Sequence, residues 1–151
     1  MKKKGHPSYP IREIGGIDVA LVQKLRAVRI RTTAGLLKAA RDAKGRKELS
    51  GKTGIPVAEI LKLVNQADLM RIKGLGGDYT WLLRDVGVDT LRALRHRNPQ
   101  HLAKKMAAEN AKKAKRAAEN KSEKFILLLP SEKAVQKWIE RARNLPLQIT
   151  Y

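Results

Sequence analysis

The run Lys73-Gly74-Leu75-Gly76-Gly77 places three glycines around one apolar residue, a spacing suited to a tight turn whose successive N–H groups face outward at the start of a helix. Such a turn is an anion site, because a phosphate there meets unpaired backbone donors and the positive end of the helix dipole without any base being read. Arg71, Lys73, Arg95 and Arg97 supply cations around Gly74, Leu75, Gly76 and Gly77. A related turn, Ile14-Gly15-Gly16-Ile17, lies earlier in the chain, near Arg12, Lys24, Arg26, Arg29 and Arg31. The chemistry on offer is electrostatic rather than covalent. His96 and His101 stand five apart across Pro99, His6 sits near the N-terminus, and Asp85 and Asp89 straddle a predicted helix end. None of these is a zinc or acid–base constellation, and no phosphate loop or activated nucleophile motif is present. The residues therefore predict no catalytic site, no metal and no cofactor: a binding protein rather than an enzyme.

The two turns belong to an internal repeat. Shifting residues 11–36 by 58 positions onto 69–94 matches Ile14/Ile72, Gly16/Gly74, Leu25/Leu83, Arg26/Arg84, Val28/Val86, Thr32/Thr90 and Leu36/Leu94 identically, where about one or two identities are expected by chance. Each copy reads as a glycine turn, a helix, and a short turn ending in a Thr that opens another helix. That is the helix-hairpin-helix pattern, with hairpins near 14–18 and 72–77. The copies are not equivalent, because Gly76 of the later one is replaced by Asp18 in the earlier. A carboxylate at that position caps its own helix and takes the donors a phosphate would use. The second turn is thus the expected clamp, with Asp78 as a residue that could also cap its helix, and with Gly15 and Gly16 of the first kept as candidates.

Charge points to the same class of partner. The 151 residues carry 33 Lys plus Arg against 14 Asp plus Glu, a formal charge of +19. Residues 1–50 account for +9, 51–100 for +3 and 101–151 for +7, so both ends are more basic than the middle. A solvated helical surface usually balances Lys with Glu, and here that balance is missing. With one Phe, two Trp and three Tyr, the chain lacks the exposed aromatic residues on which single-strand binders stack bases. Duplex backbone is the better match.

These residues need a helical frame. The 42% hydrophobic content predicts one aromatic-poor core. Residues 1–10 read as a basic arm. Helices are expected over 18–28, from Thr32 or Thr33 to about 43 with Gly45 as breaker, over 46–52, and from Pro56 toward 72. Residues 79–86 and a short helix from Asp89 or Thr90 to Arg97 complete a tandem domain over 11–102. Residues 47–62 also resemble a helix-turn-helix, but a turn between two core helices has the same signature. Residues 103–124 form a basic Ala/Lys-rich helix or linker in which Lys112, Lys113, Lys115 and Arg116 are candidates for lying along a phosphate backbone. Pro130-Ser131 opens a last helix whose Val135, Trp138, Ile139, Ala142 and Leu145 mark a core face, so 125–151 is expected to pack on the core. The fold class is all-α, a compact tandem helix-hairpin-helix domain with a C-terminal docking helix.

The runs Gly-Arg-Lys-Glu-Leu (45–49), Thr-Gly-Ile (53–55), Val-Asn-Gln-Ala-Asp-Leu (64–69), Gly-Val-Asp-Thr (87–90) and Arg-His-Arg-Asn-Pro (95–99) resemble the prokaryotic family named domain of unknown function 4332. Leu129-Pro130-Ser131, Val135, Trp138-Ile139, Leu145-Pro146 and Thr150-Tyr151 are similar to that family's C-terminal segment. The resemblance implies a compact, all-helical, tandem helix-hairpin-helix protein in the style of non-catalytic DNA-binding modules, and implies no specific function. The Ala/Lys segment around 106–124 departs from the family pattern, so its role is not carried over.

The expected function is non-catalytic, sequence-nonspecific duplex DNA binding through backbone phosphates, with structured RNA kept as a second nucleic-acid partner. The alternative is an assembly protein that docks on an acidic protein or a ribonucleoprotein particle such as a ribosome. The absence of Cys suits a reducing cytoplasm, with nucleoid association if DNA is the partner. Lys2, Lys3 and Lys4 are followed by His6-Pro7-Ser8-Tyr9-Pro10 rather than an apolar stretch, so neither secretion nor a membrane partner is expected.

Overall fold

A computed structural model describes residues 8–120 and 123–151. Most of the expected N-terminal arm, with Lys2, Lys3, Lys4 and His6, lies outside the described residues, as does Lys121. Among the described residues there are eight α-helices and no strand: α1 (Val19–Ala27), α2 (Thr33–Ala40), α3 (Ala43–Thr53), α4 (Val57–Leu69), α5 (Gly77–Asp85), α6 (Leu91–Arg95), α7 (Pro99–Glu119) and α8 (Glu132–Asn144). A single 3-10 turn, Ile11–Glu13, precedes α1.

Most helix starts are written locally. Asp18, Thr32, Asp42, Thr90, Asn98 and Ser131 each accept a hydrogen bond from a backbone N–H in the first turn of the helix they open, a contact that contributes about 1 kcal/mol. α4 begins after Pro56 and α5 after Gly76, both without a side-chain cap.

The breaker expected at Gly45 is displaced. α2 ends at Ala40 and α3 restarts at Ala43, with Asp42 as cap and Gly45 inside its first turn. A Cβ on Gly45 would stand 2.2 Å from the Ala39 carbonyl oxygen, so the glycine permits a close approach between consecutive helices instead of ending one. Buried Arg46 completes the corner by donating to Ala40 O at 3.0 Å.

The repeat persists in the backbone. Ile14 N–H bonds Ile11 O at 3.1–3.2 Å together with Ile17 N–H to Ile14 O, and the same pair recurs at 3.0 Å as Ile72 to Leu69 and Leu75 to Ile72. Gly16 and Gly74 share φ of +76° and +87°. After the helix, Ile30 N–H reaches Leu25 O at 2.9 Å and Val88 N–H reaches Leu83 O at 2.8 Å. The left-handed residue in that turn is Arg29 (φ +66°) in the first copy and Gly87 (φ +88°) in the second.

Two apolar clusters meet on α4. Ile14, Leu25, Leu36, Ile60, Val64 and Met70 belong to the first, and Leu69, Leu75, Leu83, Leu94, Met106 and Trp138 to the second. From Leu63 to Leu69 every residue of α4 is buried, while Val57, Ala58 and Lys62 nearer its start are exposed, so its C-terminal half is a central post. Within the 47–62 segment α3 and α4 pack on each other through buried Leu49 and Ile60. α7 is one continuous helix that packs through Leu102, Met106, Asn110 and Lys113 along one face and rests on α8 and α5; it is part of the compact unit and not a linker. Beyond α8 the tail returns to the first cluster, where Ile149 packs, Thr150 N–H bonds Arg41 O at 2.8 Å and the Tyr151 hydroxyl bonds Asn65 Oδ1 at 3.2 Å.

The two glycine turns also touch each other: a Cβ on Gly77 would lie 1.8 Å from Glu13 O, and one on Gly15 would lie 2.0 Å from Gly77 O. Gly77→Ala is expected to lower the unfolding free energy by about 3 kcal/mol in urea titrations, whereas Gly76→Ala, with nothing within 4 Å of its Cβ, changes it by less than about 0.5 kcal/mol. Equal effects at the two positions would refute the close-packed turn. Arg29→Gly is expected to raise stability by about 0.5–1 kcal/mol by relieving the left-handed conformation, and Gly87→Ala to lower it by about 1 kcal/mol. Thermal unfolding of both variants checks the pair.

Candidate nucleic-acid interface

The second turn hangs from two buried anchors, Ile72 and Leu75, which leave Lys73 and Gly74 exposed at its tip. Gly76, the residue that opens α5, sits at φ −85° and ψ −179°. Asp18, its counterpart in the first copy, has similar angles (φ −74°, ψ 143°) and accepts from Ala20 N–H at 3.1 Å. The first turn thus spends its helix N-terminus on its own carboxylate. Among the described residues no side-chain hydrogen bond caps the start of α5, whose first turn carries Asp78.

The local geometry does not require glycine at 76. Its φ is ordinary and a Cβ would meet nothing within 4 Å, so an Asp like that of the first copy fits there. What glycine leaves behind is a helix start with bare N–H groups.

Two grooves flank this turn. One, of about 900 Å³, runs between the two turns and is walled by residues 124–128. It carries Arg12 and Lys124 but also Glu13 and Asp78, so its charges balance. The other, of about 320 Å³, lies between the turn and α8 and is lined by Lys73, Gly74, Tyr79, Lys137, Trp138 and Arg141. Its charged groups are all cations. Arg141 donates to Lys73 O at 2.6 Å, and Trp138 packs on Tyr79 with ring centroids 5.2 Å apart, which fixes α8 against the turn.

Several cations expected at this surface face inward instead. Arg71 is buried, paired with Asp68 at 2.6 Å, and donates to Pro146 O at 3.2 Å. Arg95 donates to Ala142 O at 2.8 Å and to Leu145 O, closing the C-terminal end of α8. Lys113 is buried, pairs with Asp85 at 2.5 Å and lies 4.0 Å from the centroid of the Trp81 ring. The structure thus gives all three internal partners, with Arg71 and Lys113 buried and Arg95 half-buried. Leu75 is likewise a core anchor.

The remaining expected residues spread over different surfaces. Lys73 and Gly74 are exposed, Gly76 and Gly77 half-buried, and Arg97 half-buried at the end of α6. Gly15 and Gly16 belong to the other wall of the larger groove. Lys24 and Arg26 are exposed on α1, as are Lys112 and Lys115 on α7. Arg116 is exposed and pairs with Glu123 at 3.2 Å. The fold brings to the second turn two cations that the sequence reading missed, Lys137 and Arg141. The signal was the ridge Lys133, Lys137, Arg141 at intervals of four on α8, opposite the apolar stripe that drew attention to that helix.

Among the described residues no group of three or more His, Cys, Asp or Glu is placed to hold a metal ion. Among them also no helix is long and apolar enough to cross a membrane. No curated protein and no solved structure matches the chain. A family model described as domain of unknown function (DUF4332) matches residues 15–145, and on that match the chain belongs to the DUF4332 family.

Proposed function

We propose that this protein is a non-catalytic nucleic-acid-binding protein that grips duplex backbone, DNA in preference to RNA, through the second glycine turn and the basic ridge of α8. In this reading the two turn-and-helix units are helix-hairpin-helix modules, of which the second binds and the first packs. The observation that carries it is the all-cationic groove of Lys73, Lys137 and Arg141 beside the uncapped start of α5.

The supporting physics is additive. A phosphate at the turn meets bare N–H groups and the positive helix end, worth about 0.3–1 kcal/mol for the dipole alone at low salt, and the exposed cations Lys73, Lys137 and Arg141 displace counterions from the phosphates they meet. Lys24 and Arg26 on α1 and Lys112 and Lys115 on α7 raise the surrounding field and accelerate encounter. Sequence preference is not expected, because every group named addresses phosphate and none a base edge. The competing assembly reading has the same charges meet an acidic protein or ribonucleoprotein surface, with the turns serving only as packing elements.

Gly76→Asp separates the two. It copies the Asp18 cap into the second turn, so it is expected to leave stability unchanged or raise it by about a few tenths of a kcal/mol, while weakening duplex binding by about tenfold through an added negative charge and occupied donors. Lys73→Glu with Lys137→Glu is expected to flatten the slope of log K against log salt by about two units. Salt titrations on matched DNA and RNA duplexes read both effects. Unchanged duplex affinity in both variants, or no salt-dependent duplex binding by the wild type, overturns the proposal in favour of the assembly reading.

A further inference from the structure

Residues 124–128 wall the larger groove as part of a non-helical strap with a bend at Leu127-Leu128. Buried Asn110 holds the strap from below, accepting from Ile126 N–H at 2.7 Å and donating to Ile126 O at 2.8 Å. On the other side of Leu127, the Tyr79 hydroxyl donates to Leu128 O at 3.0 Å. Between these fixed points Leu127 is 90% and Leu128 78% exposed, with Phe125 at 40% beside them. Two adjacent leucines held out in water by the backbone bonds on either side of them are unfavourable in the free protein, since each fully exposed side chain forgoes burial.

Their surroundings define what would cover them. Tyr79 and Gly74 line both the groove under the strap and the all-cationic groove of Lys73, Lys137 and Arg141, so the leucine tip adjoins the proposed phosphate grip across a shared ridge. Lys124 precedes the tip. The groove under the tip also holds Glu13 and Asp78, so the cations gather on the far side of the shared ridge; an apolar point beside an all-cationic groove complements a duplex, whose phosphates lie outside and whose apolar faces are reached only between base steps.

We infer that Leu127-Leu128 is an apolar wedge that enters the base stack of a bound DNA duplex, unstacking one step and bending the helix. This rests on the duplex-binding reading above. Insertion adds apolar contact but costs the unstacking of one step, so on matched DNA the two effects largely offset each other. Where a step is already weakened by a mismatch the unstacking cost falls, and binding tightens. The wedge therefore gives a sequence-indifferent backbone grip a preference for deformable or damaged sites.

The test uses the full chain, the Leu127→Ser/Leu128→Ser variant, and the Lys73→Glu/Lys137→Glu variant, each first checked for an unchanged unfolding temperature. Duplexes carry a fluorophore pair at their ends and 2-aminopurine at a central TA step, with a matched and a mismatched version. The wild type is expected to bend the duplex within about 20–90°, to raise 2-aminopurine fluorescence, and to bind the mismatched duplex about tenfold tighter than the matched. The leucine variant is expected to lose bend, fluorescence rise and preference, while its affinity for the matched duplex and its salt slope stay within about threefold and about half a unit of wild type. The lysine variant is expected to lose affinity for both duplexes. If wild type and leucine variant bend and discriminate alike, the wedge is overturned and the grip stands. Absence of salt-dependent duplex binding by the wild type overturns both. In a parallel arm with vesicles of phosphatidylserine and phosphatidylcholine, binding that depends on the leucines, with no change in the duplex readouts, overturns the wedge in favour of a lipid surface.

Discussion

The burial of the C-terminal half of α4 is the constraint on which the rest depends. From Leu63 onward every residue of that helix is buried, so its polar side chains must find partners inside, and each finds one on a different non-helical segment. Gln66 donates to Gly15 O at 3.0 Å and holds the first turn. Asp68 fixes Arg71, which reaches the tail at Pro146. Asn65 accepts from the terminal Tyr151. A buried polar group left without a partner costs about 1–3 kcal/mol, so these bonds act less as net stabilisers than as a requirement that turns and tail occupy single positions. The same helix carries Leu69 into one apolar cluster and Met70, just past its end, into the other, and so sets the two halves in fixed register.

The duplicated unit shows how one backbone serves two purposes. Matching bonds and matching left-handed glycines recur after 58 residues, yet equivalent positions hold different side chains. Asp18 closes a helix start that Gly76 leaves open. Arg29 occupies a left-handed conformation that its counterpart Gly87 adopts freely. With its donors occupied and Gly15 pressed against Gly77, the first turn supports the second. Asymmetry of this kind is what allows one copy to be committed to packing while the other keeps its N–H groups available.

Cations illustrate why composition alone is a poor guide to a surface. Arg71, Arg95 and Lys113 have the same charge and much the same local sequence context as Lys73 and Arg97, but they terminate helices, neutralise Asp68 and Asp85, or lie on Trp81. Paired buried charges of this sort hold segments in place and are costly to break by removing one partner, by about 3–5 kcal/mol. Outward-facing Lys137 and Arg141 came from a helix whose apolar stripe was its loudest signal. A net charge of +19 fixes the class of field around the molecule; which cations converge on one groove depends on how α8 docks.

The sequence by itself determined the local features: helix starts at Asp18, Thr32, Thr90 and Ser131, the left-handed turns at Gly16 and Gly74, the repeat, the family, and the apolar face of α8. These are set by neighbouring residues through caps, backbone conformation and periodicity, which need no distant contact. Gly45 was misread because its purpose is an approach to the Ala39 carbonyl, invisible without the packed corner. Tertiary structure alone decided that α4 is central, that the two turns press together, that three expected phosphate ligands are engaged by internal partners, and that Leu127-Leu128 stand exposed on a fastened strap. Each of these is a relation between segments tens of residues apart, and side-chain direction at such range is fixed by close packing and by the pairing of buried polar groups, neither of which leaves a mark on any single stretch of chain.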